Sequence, residues 1–152
     1  MDLLVLDTCI VLNMLRKNEY GKRCILAIEQ FSDNPSFIVS TVTKGELEAI
    51  KVQQKWGEPR CKALINFLEN VTYVDIYNQD MDLINAYAKI DAYSKRKATD
   101  KNGNLLTGSA KKMGKNDLWI GATAYSLDIP LLTTDGDFDH LNETLLNVIK
   151  VV

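Results

Sequence analysis

Short apolar runs alternate with amphipathic stretches along the whole chain. Leu3-Leu4-Val5-Leu6, closed by Asp7, predicts a buried strand over 3–7. Helices follow over about 9–16 and 20–31. Phe37-Ile38-Val39-Ser40 predicts a second strand, and Thr43 to Gln54 a helix. Cys61, Leu64, Ile65 and Leu68 recur at i, i+3, i+4 and i+7, which is one face of a further helix. Val71 to Ile76 alternates as a strand, and Leu83, Ile84, Tyr87 and Ala88 form another helical stripe. Residues 97–114, with Gly103, Gly108 and Gly114, read as a long loop. Leu118 to Leu127 is apolar nearly all round, the pattern of a helix buried on several sides. Leu131-Leu132-Thr133 and Val148 to Val152 are the last strands.

Strands separated by helices imply parallel pairing. Apolar, non-alternating strands fit a sheet covered on both faces. The expected fold is therefore α/β, a three-layer sandwich around a mostly parallel central sheet, in one domain over 1–152. The 152 residues, 46% apolar and 25% charged, suit one soluble globular domain. The apolar runs fall far short of the ~20 residues of a membrane-spanning helix. No charged segment leads into an apolar one at the start, so no signal peptide is read. Cys9, Cys24 and Cys61 have no C-x-x-C spacing and read as reduced, mostly buried thiols. Together these place the chain in the cytoplasm, with no membrane partner.

The net charge of −2 gives no overall basic footprint, but the charge is unevenly spread. Residues 95–115 carry Lys95, Arg96, Lys97, Lys101, Lys111, Lys112 and Lys115 against Asp100 alone. This stretch reads either as a solvated loop or as a phosphate-contacting rim beside an acidic site.

In parallel α/β sheets the binding crevice lies outside the carboxyl ends of the strands. Asp7 follows the first strand, Glu46 opens the helix after the second, and Asp117 opens the buried helix. Asp135 follows the strand Leu131–Thr133, with Asp137 and Asp139 close behind. Each has a local alternative. Asp7 or Thr8 can cap a helix, and Thr43-Lys44-Gly45-Glu46 matches a capping box. Asn116 or Asp117 can cap the buried helix, and Asp135-Gly136-Asp137 is ordinary turn chemistry. Acids spread over the whole chain nevertheless fall where a single crevice should be. Two carboxylates ~4 Å apart repel by roughly 4 kcal/mol at an effective dielectric near 20. Such a cluster needs protons or cations, and hard divalent ions with oxygen ligands, Mg²⁺ or Mn²⁺, answer that need. Hydrated Mg²⁺ on carboxylates is one way to hydrolyse phosphodiesters.

Other chemistries fit poorly. His140 is the one histidine and reads as a loop or surface residue, at most a substrate contact. Three scattered cysteines and one histidine give no zinc spacing. The glycines before Lys115 do not form a phosphate-binding loop, because Asn116 follows the lysine. The acids at 135, 137 and 139 miss the glycine and terminal glutamate of a calcium loop. Asp75 ends a strand as a phosphoacceptor would, but the first strand ends in one acid where a phosphoaspartate signalling domain wants a pair.

Four segments carry a resemblance: Leu6-Asp7-Thr8; Ser40-x-x-Thr43-x-x-Glu46-Leu47; Asn116-Asp117-x-x-Ile120-x-Ala122; and Leu132-Thr133-x-Asp135-x-Asp137-Phe138. In order and spacing they resemble the PIN domain over nearly the whole chain, most of all the single-domain VapC-type toxins of toxin–antitoxin modules. The 97–114 loop is longer than in the shortest members. The resemblance implies a Mg²⁺-dependent endoribonuclease, in which Mn²⁺ suits the same oxygen donors, that hydrolyses RNA by metal-activated water and is held inactive by a VapB-type antitoxin. It also implies a homodimer. Asp7, Glu46, Asp117 and Asp135 would be the acidic quartet. Asp7 and Asp117 would ligate metal directly, and Glu46 and Asp135 would position metal-bound water or a second ion. Asp137 is a fifth candidate. Thr8, Thr133 and Asn116 would order the ligands. Lys112 and Lys115, extended by Lys95, Arg96 and Lys97, would meet RNA phosphates. A PIN nuclease of RNA processing, a silent interaction module of the same fold and a phosphoaspartate signalling domain are the alternatives. An antitoxin helix would rest on Val11, Leu12, Leu15, Ile25 and Ile28, unless these are core.

Overall fold

The first strand distributes its side chains to two separate cores. In the computed structural model, which describes residues 2–152, β1 (Asp2–Leu6) sends Val5 to one face of the sheet and Leu4 and Leu6 to the other. This is the period-two geometry of a strand buried on both sides. β1 pairs in parallel with β2 (Pro35–Ser40) on one side and β4 (Leu131–Thr133) on the other. β3 (Thr72–Val74) and β5 (Val148–Lys150) complete a parallel sheet of order β3-β2-β1-β4-β5.

Helices α1 (Thr8–Arg16), α2 (Glu19–Phe31), α3 (Thr41–Gln53) and α4 (Glu58–Glu69) cover one face. Ile10, Val11, Cys24, Ile28, Leu47, Leu64 and Leu68 pack there with Leu4, Leu6, Val39 and Leu132. Helices α5 (Met81–Ser94) and α6 (Lys115–Leu127) cover the other face with Leu83, Ile90, Tyr93, Leu118 and Ile120. The three-layer α/β arrangement expected from the sequence is thus present. Buried residues run almost without a break from Leu118 to Ala124, so α6 is the central helix its pattern predicts.

The chain winds outward from β1 to β3, then returns to place β4 on the far side of β1. The order reverses between β1 and β4, and a crevice opens at such a reversal. Asp7 and Asp135 leave the sheet from these two strands.

Helix starts differ from two of the predicted caps. Ser40, not Thr43, caps α3, through a bond that its hydroxyl accepts from the Val42 N–H. The capping-box reading of Thr43–Glu46 therefore fails. Thr43 is fully buried, and Glu46 lies in the second turn of α3. Gly114 caps α6 without a side-chain bond, so neither Asn116 nor Asp117 serves there. Both shifts release an acid from a capping role. Asp7 does cap α1, its Oδ1 accepting from the Thr8 N–H at 2.7 Å.

Residues 97–114 form neither helix nor strand, as expected, but they are firmly held. Leu106 and Met113 are buried in the α5–α6 core. The Asp100 Oδ1 accepts from the backbone N–H groups of Asn102 and Asn104, a local turn bond typical of aspartate. Gly103 and Gly108 supply the left-handed backbone at φ 81° and 79°. Asp135-Gly136-Asp137, read as a turn from the sequence, opens a 3₁₀ helix over Gly136–Leu141 that buries Phe138 and Leu141.

The α1–α2 corner depends on Gly21, where a Cβ would run into the Asn13 backbone carbonyl. Gly21→Ala is expected to cost about 1–3 kcal/mol through forced displacement of one helix from the other. Urea unfolding followed by circular dichroism measures this cost, and an unchanged midpoint would show that the corner yields freely.

Candidate metal centre

Asp7 is 4% exposed, and its carboxylate is held from three directions. Besides the Thr8 N–H at Oδ1, the Thr133 hydroxyl donates to Oδ2 at 2.7 Å and the Cys9 thiol donates at 3.2 Å. These bonds favour the charged form, yet burial outweighs them and raises the Asp7 carboxyl above the usual carboxylate range. A carboxylate offers about four lone-pair sites, so these donors leave room for a cation.

Thr133 ties β1 to β4. Its hydroxyl proton points to Asp7, while its oxygen accepts from the Asp135 N–H at 2.9 Å. The Asp135 Oδ1 in turn accepts from the Asp137 N–H, also at 2.9 Å, which starts the 3₁₀ helix. On the other side, the Thr8 hydroxyl donates to Glu46 Oε1 at 2.7 Å and lies 3.0 Å from the Thr43 hydroxyl. Hydroxyls at the ends of β1 and β4 thus position Glu46, Asp7 and Asp135.

Asp117, in the first turn of α6, faces all the rest. Its carboxyl is pushed up to about 7, first by burial and then by repulsion from Asp7, Asp135, Glu46 and Asp137. Asp117, Asp135 and Asp137 each offer a carboxylate oxygen within 4.8 Å of the others. Among the described residues, no ion pair reaches any of these five acids. Clustered carboxylates that no ion pair reaches suit a hard divalent cation. The residues present therefore fit such an ion. Asp137, the fifth candidate in the sequence, joins Asp117 and Asp135 in the closest group, whereas Asp7 and Glu46 are the acids fixed by hydroxyls.

The other predicted residues divide. Thr8 and Thr133 bond to acids of the cluster, and Asn116 stands exposed beside Asp117. Lys115 and Asn116 share a cleft with Glu46 and Asp117, and Lys112 lies in a neighbouring cleft with Asp137. Lys95 pairs instead with Asp91 at 3.0 Å. The Arg96 Nε–H donates to the Leu106 carbonyl at 3.0 Å and so helps hold the loop. Asp75 accepts from the Thr41 hydroxyl beyond the edge strand β3. His140 is half-buried rather than a surface residue, with Nε2 2.8 Å from the Ser94 hydroxyl. Burial and nearby Lys111 lower its tendency to take a proton. Sequence reasoning did not connect Cys9 with Asp7. Its position two residues on, at the start of a helix, was the available signal. Burial and the Asp7 charge push the thiol up to about 11, so it stays a protonated donor.

The raised Asp117 carboxyl has a consequence for stability. Below about pH 4 this group is protonated both folded and unfolded, and it costs nothing. Between about pH 4 and 7 the unfolded chain gives up this proton while the folded protein keeps it, so stability falls across that window and levels off above about 7, where the folded state holds the repelled charge. The metal-free protein is therefore expected to melt at lower temperature at pH 8 than at pH 5.5. Mn²⁺ should reverse the loss, and Asp117→Asn should flatten the pH slope. Thermal melts of both forms across pH, with and without Mn²⁺, provide the check. An identical slope in the variant would contradict this electrostatic picture.

Comparison with known proteins agrees with this architecture. No curated protein matches the sequence significantly. Among solved structures, a chain in VapBC2 from Rickettsia felis, bound to a DNA fragment from its promoter, is 18% identical with a TM-score of 0.70. The match covers 96% of this chain and 98% of that one. A chain in VapBC-1 from nontypeable Haemophilus influenzae is 23% identical with a TM-score of 0.65, covering 97% of both. A chain in VapBC-5 from Mycobacterium tuberculosis is 18% identical with a TM-score of 0.64, covering 99% and 100%. At these identities the likeness concerns the fold. The family profile of the PIN domain matches residues 4–143, nearly the whole chain. The parallel sheet, the acids gathered at its point of reversal and this match establish that the chain belongs to the PIN domain family.

Proposed function

We propose that this chain is a divalent-metal-dependent endoribonuclease acting as the toxin of a VapBC-type toxin–antitoxin pair. The observation that carries the reading is the convergence of Asp7, Glu46, Asp117, Asp135 and Asp137, which no ion pair reaches among the described residues. Mg²⁺, or Mn²⁺ in its place, would be held by Asp117, Asp135, Asp137 and Asp7, with Glu46 beside it. When bound, such an ion polarises a phosphodiester and lowers the pKa of water at the site.

The chain's own residues do the rest. Thr133 and Thr8 fix the directions of Asp7 and Glu46, so little reorganisation is needed when substrate arrives. Lys115, next to Glu46 and Asp117, and Lys112, next to Asp137, supply positive charge for the RNA backbone. The scissile phosphate sits between these lysines and the acids. RNA is the substrate class, as the resemblance implies.

The unbalanced carboxylates also suit an antitoxin that lays a basic side chain over them. The structural neighbours come from VapBC structures, which supports a protein partner. Val11 and Ile28 belong to the core and Leu12 and Leu15 pack partly against it, so they offer a partner little or nothing. Ile25 and Leu26, 46% and 55% exposed on α2, remain available for a partner helix. A second copy of the chain, implied by the resemblance, completes the proposed assembly.

Asp117→Asn is expected to keep the fold and abolish both RNA cleavage and growth inhibition. Undiminished cleavage by a folded variant would end the nuclease reading. Changing Lys112 and Lys115 together to Glu should weaken RNA binding most at low salt, read by fluorescence anisotropy with a labelled oligoribonucleotide. Equal affinity at every salt concentration would remove these lysines from the binding surface.

A further inference from the structure

A cleft of about 240 Å³ opens beside the acidic cluster. Lys111, Lys112 and Met113 line it from the loop before α6, and Asp137, Asp139 and His140 from the 3₁₀ helix. Asp137 lines this cleft and also belongs to the group formed with Asp117 and Asp135, so the cleft borders the acidic cluster. The charges in the cleft are not equivalent. Asp139 is paired with Lys150 at 3.0 Å. Lys111 and Lys112 are exposed and, among the described residues, pair with no acid.

The His140 wall is fixed in advance. The His140 ring lies parallel to buried Tyr93, at 8° with centroids 6.4 Å apart. Its Nε2 is 2.8 Å from the hydroxyl of Ser94, which is 1% exposed and itself 3.5 Å from the Met113 sulfur. The Lys111 N–H donates to the Ser94 carbonyl at 2.7 Å, which anchors the loop to the same residue. Ser94 thus holds the imidazole, the thioether and the lysine-bearing backbone in one arrangement. The His140 ring and the Met113 thioether, in one cleft with two unpaired cations, match a ligand that carries both an aromatic ring and a phosphate.

We propose that this cleft is a nucleotide subsite for single-stranded RNA. It takes the base next to the scissile phosphate against His140 and Met113, and the adjoining phosphate on Lys111 and Lys112. The proposal rests on the nuclease reading above and adds the source of sequence preference. A base enters only when it is unstacked, so the subsite selects loops and single strands over duplexes. His140 and Ser94 lie outside the acidic cluster. His140 acts here as a specificity-determining wall and Ser94 as the residue that positions it.

The test uses the full chain loaded with Mn²⁺ and a pool of single-stranded RNA randomised around one cleavage position, with the cut ends sequenced. Wild type is expected to show a base preference at one nucleotide adjoining the cut. His140→Ala should relax that preference and raise KM roughly tenfold, as the loss of one stacking partner does, with the loss falling on KM rather than kcat. Lys112→Ala, on the exposed loop where folding is not at stake, should raise KM and lower the salt slope of binding by about one. Mn²⁺ affinity should match wild type in both variants, which separates a substrate contact from damage to the metal centre. Cleavage by wild type with the same preference, KM and salt slope in both variants would overturn the subsite alone. Failure of the Mn²⁺-loaded wild type to cleave any RNA would overturn the nuclease reading and the subsite with it.

Discussion

Repulsion among carboxylates at one end of the sheet is the constraint around which the molecule is organised. Asp7 is almost fully buried and Asp117 half-buried, and each raises the cost of ionising the other. An isolated buried carboxylate ordinarily gains a positive partner or keeps its proton. Here the described residues supply no positive partner, and the neighbours that do touch Asp7 are neutral donors. Hydroxyl, thiol and amide groups orient the acids without cancelling their charge. Such a site remains receptive to a cation from outside, whether a hydrated divalent ion or a basic side chain.

The rest of the fold makes that arrangement possible. Reversal of the strand order between β1 and β4 brings the ends of two strands side by side. Thr133 spans the gap with one hydroxyl that serves Asp7 and Asp135 together. Thr8 does the same between α1 and α3. The apolar cores on both faces hold these elements in register, and α6 is buried deeply enough that Asp117 has little freedom to retreat from its neighbours. Packing thus stores the electrostatic cost that cation binding releases.

Much of this was legible along the chain. The strand Leu3–Leu6, the all-round apolar helix ending at Leu127 and the acids after each strand all emerge from periodicity, because burial on both faces leaves a strong pattern. The order of the motifs pointed to the PIN family, and the match over residues 4–143 bears this out. Helix starts were less legible. Ser40 and Thr43 are both chemically able to cap, and tertiary packing decides between them by burying Thr43 against Thr8. The hydrogen bond from Cys9 to Asp7 left only its two-residue spacing as a signal, and the Ser94–His140 contact left none. The first depends on side-chain direction at the first turn of a helix, and the second joins residues 46 positions apart. The basic stretch looked uniform in sequence, but the fold uses it unevenly. Lys95 and Arg96 are committed to Asp91 and Leu106, while Lys111, Lys112 and Lys115 border the clefts beside the acids.

The central claim is that the acids share a proton load which a divalent ion displaces. Titrating Mn²⁺ into the metal-free chain near pH 6.5, in two buffers of different ionisation enthalpy, measures the protons released on binding. The account predicts saturable binding with net proton release that diminishes as pH rises above 7, and loss of that release in Asp117→Asn. Binding without proton release, or no binding at all, would contradict it.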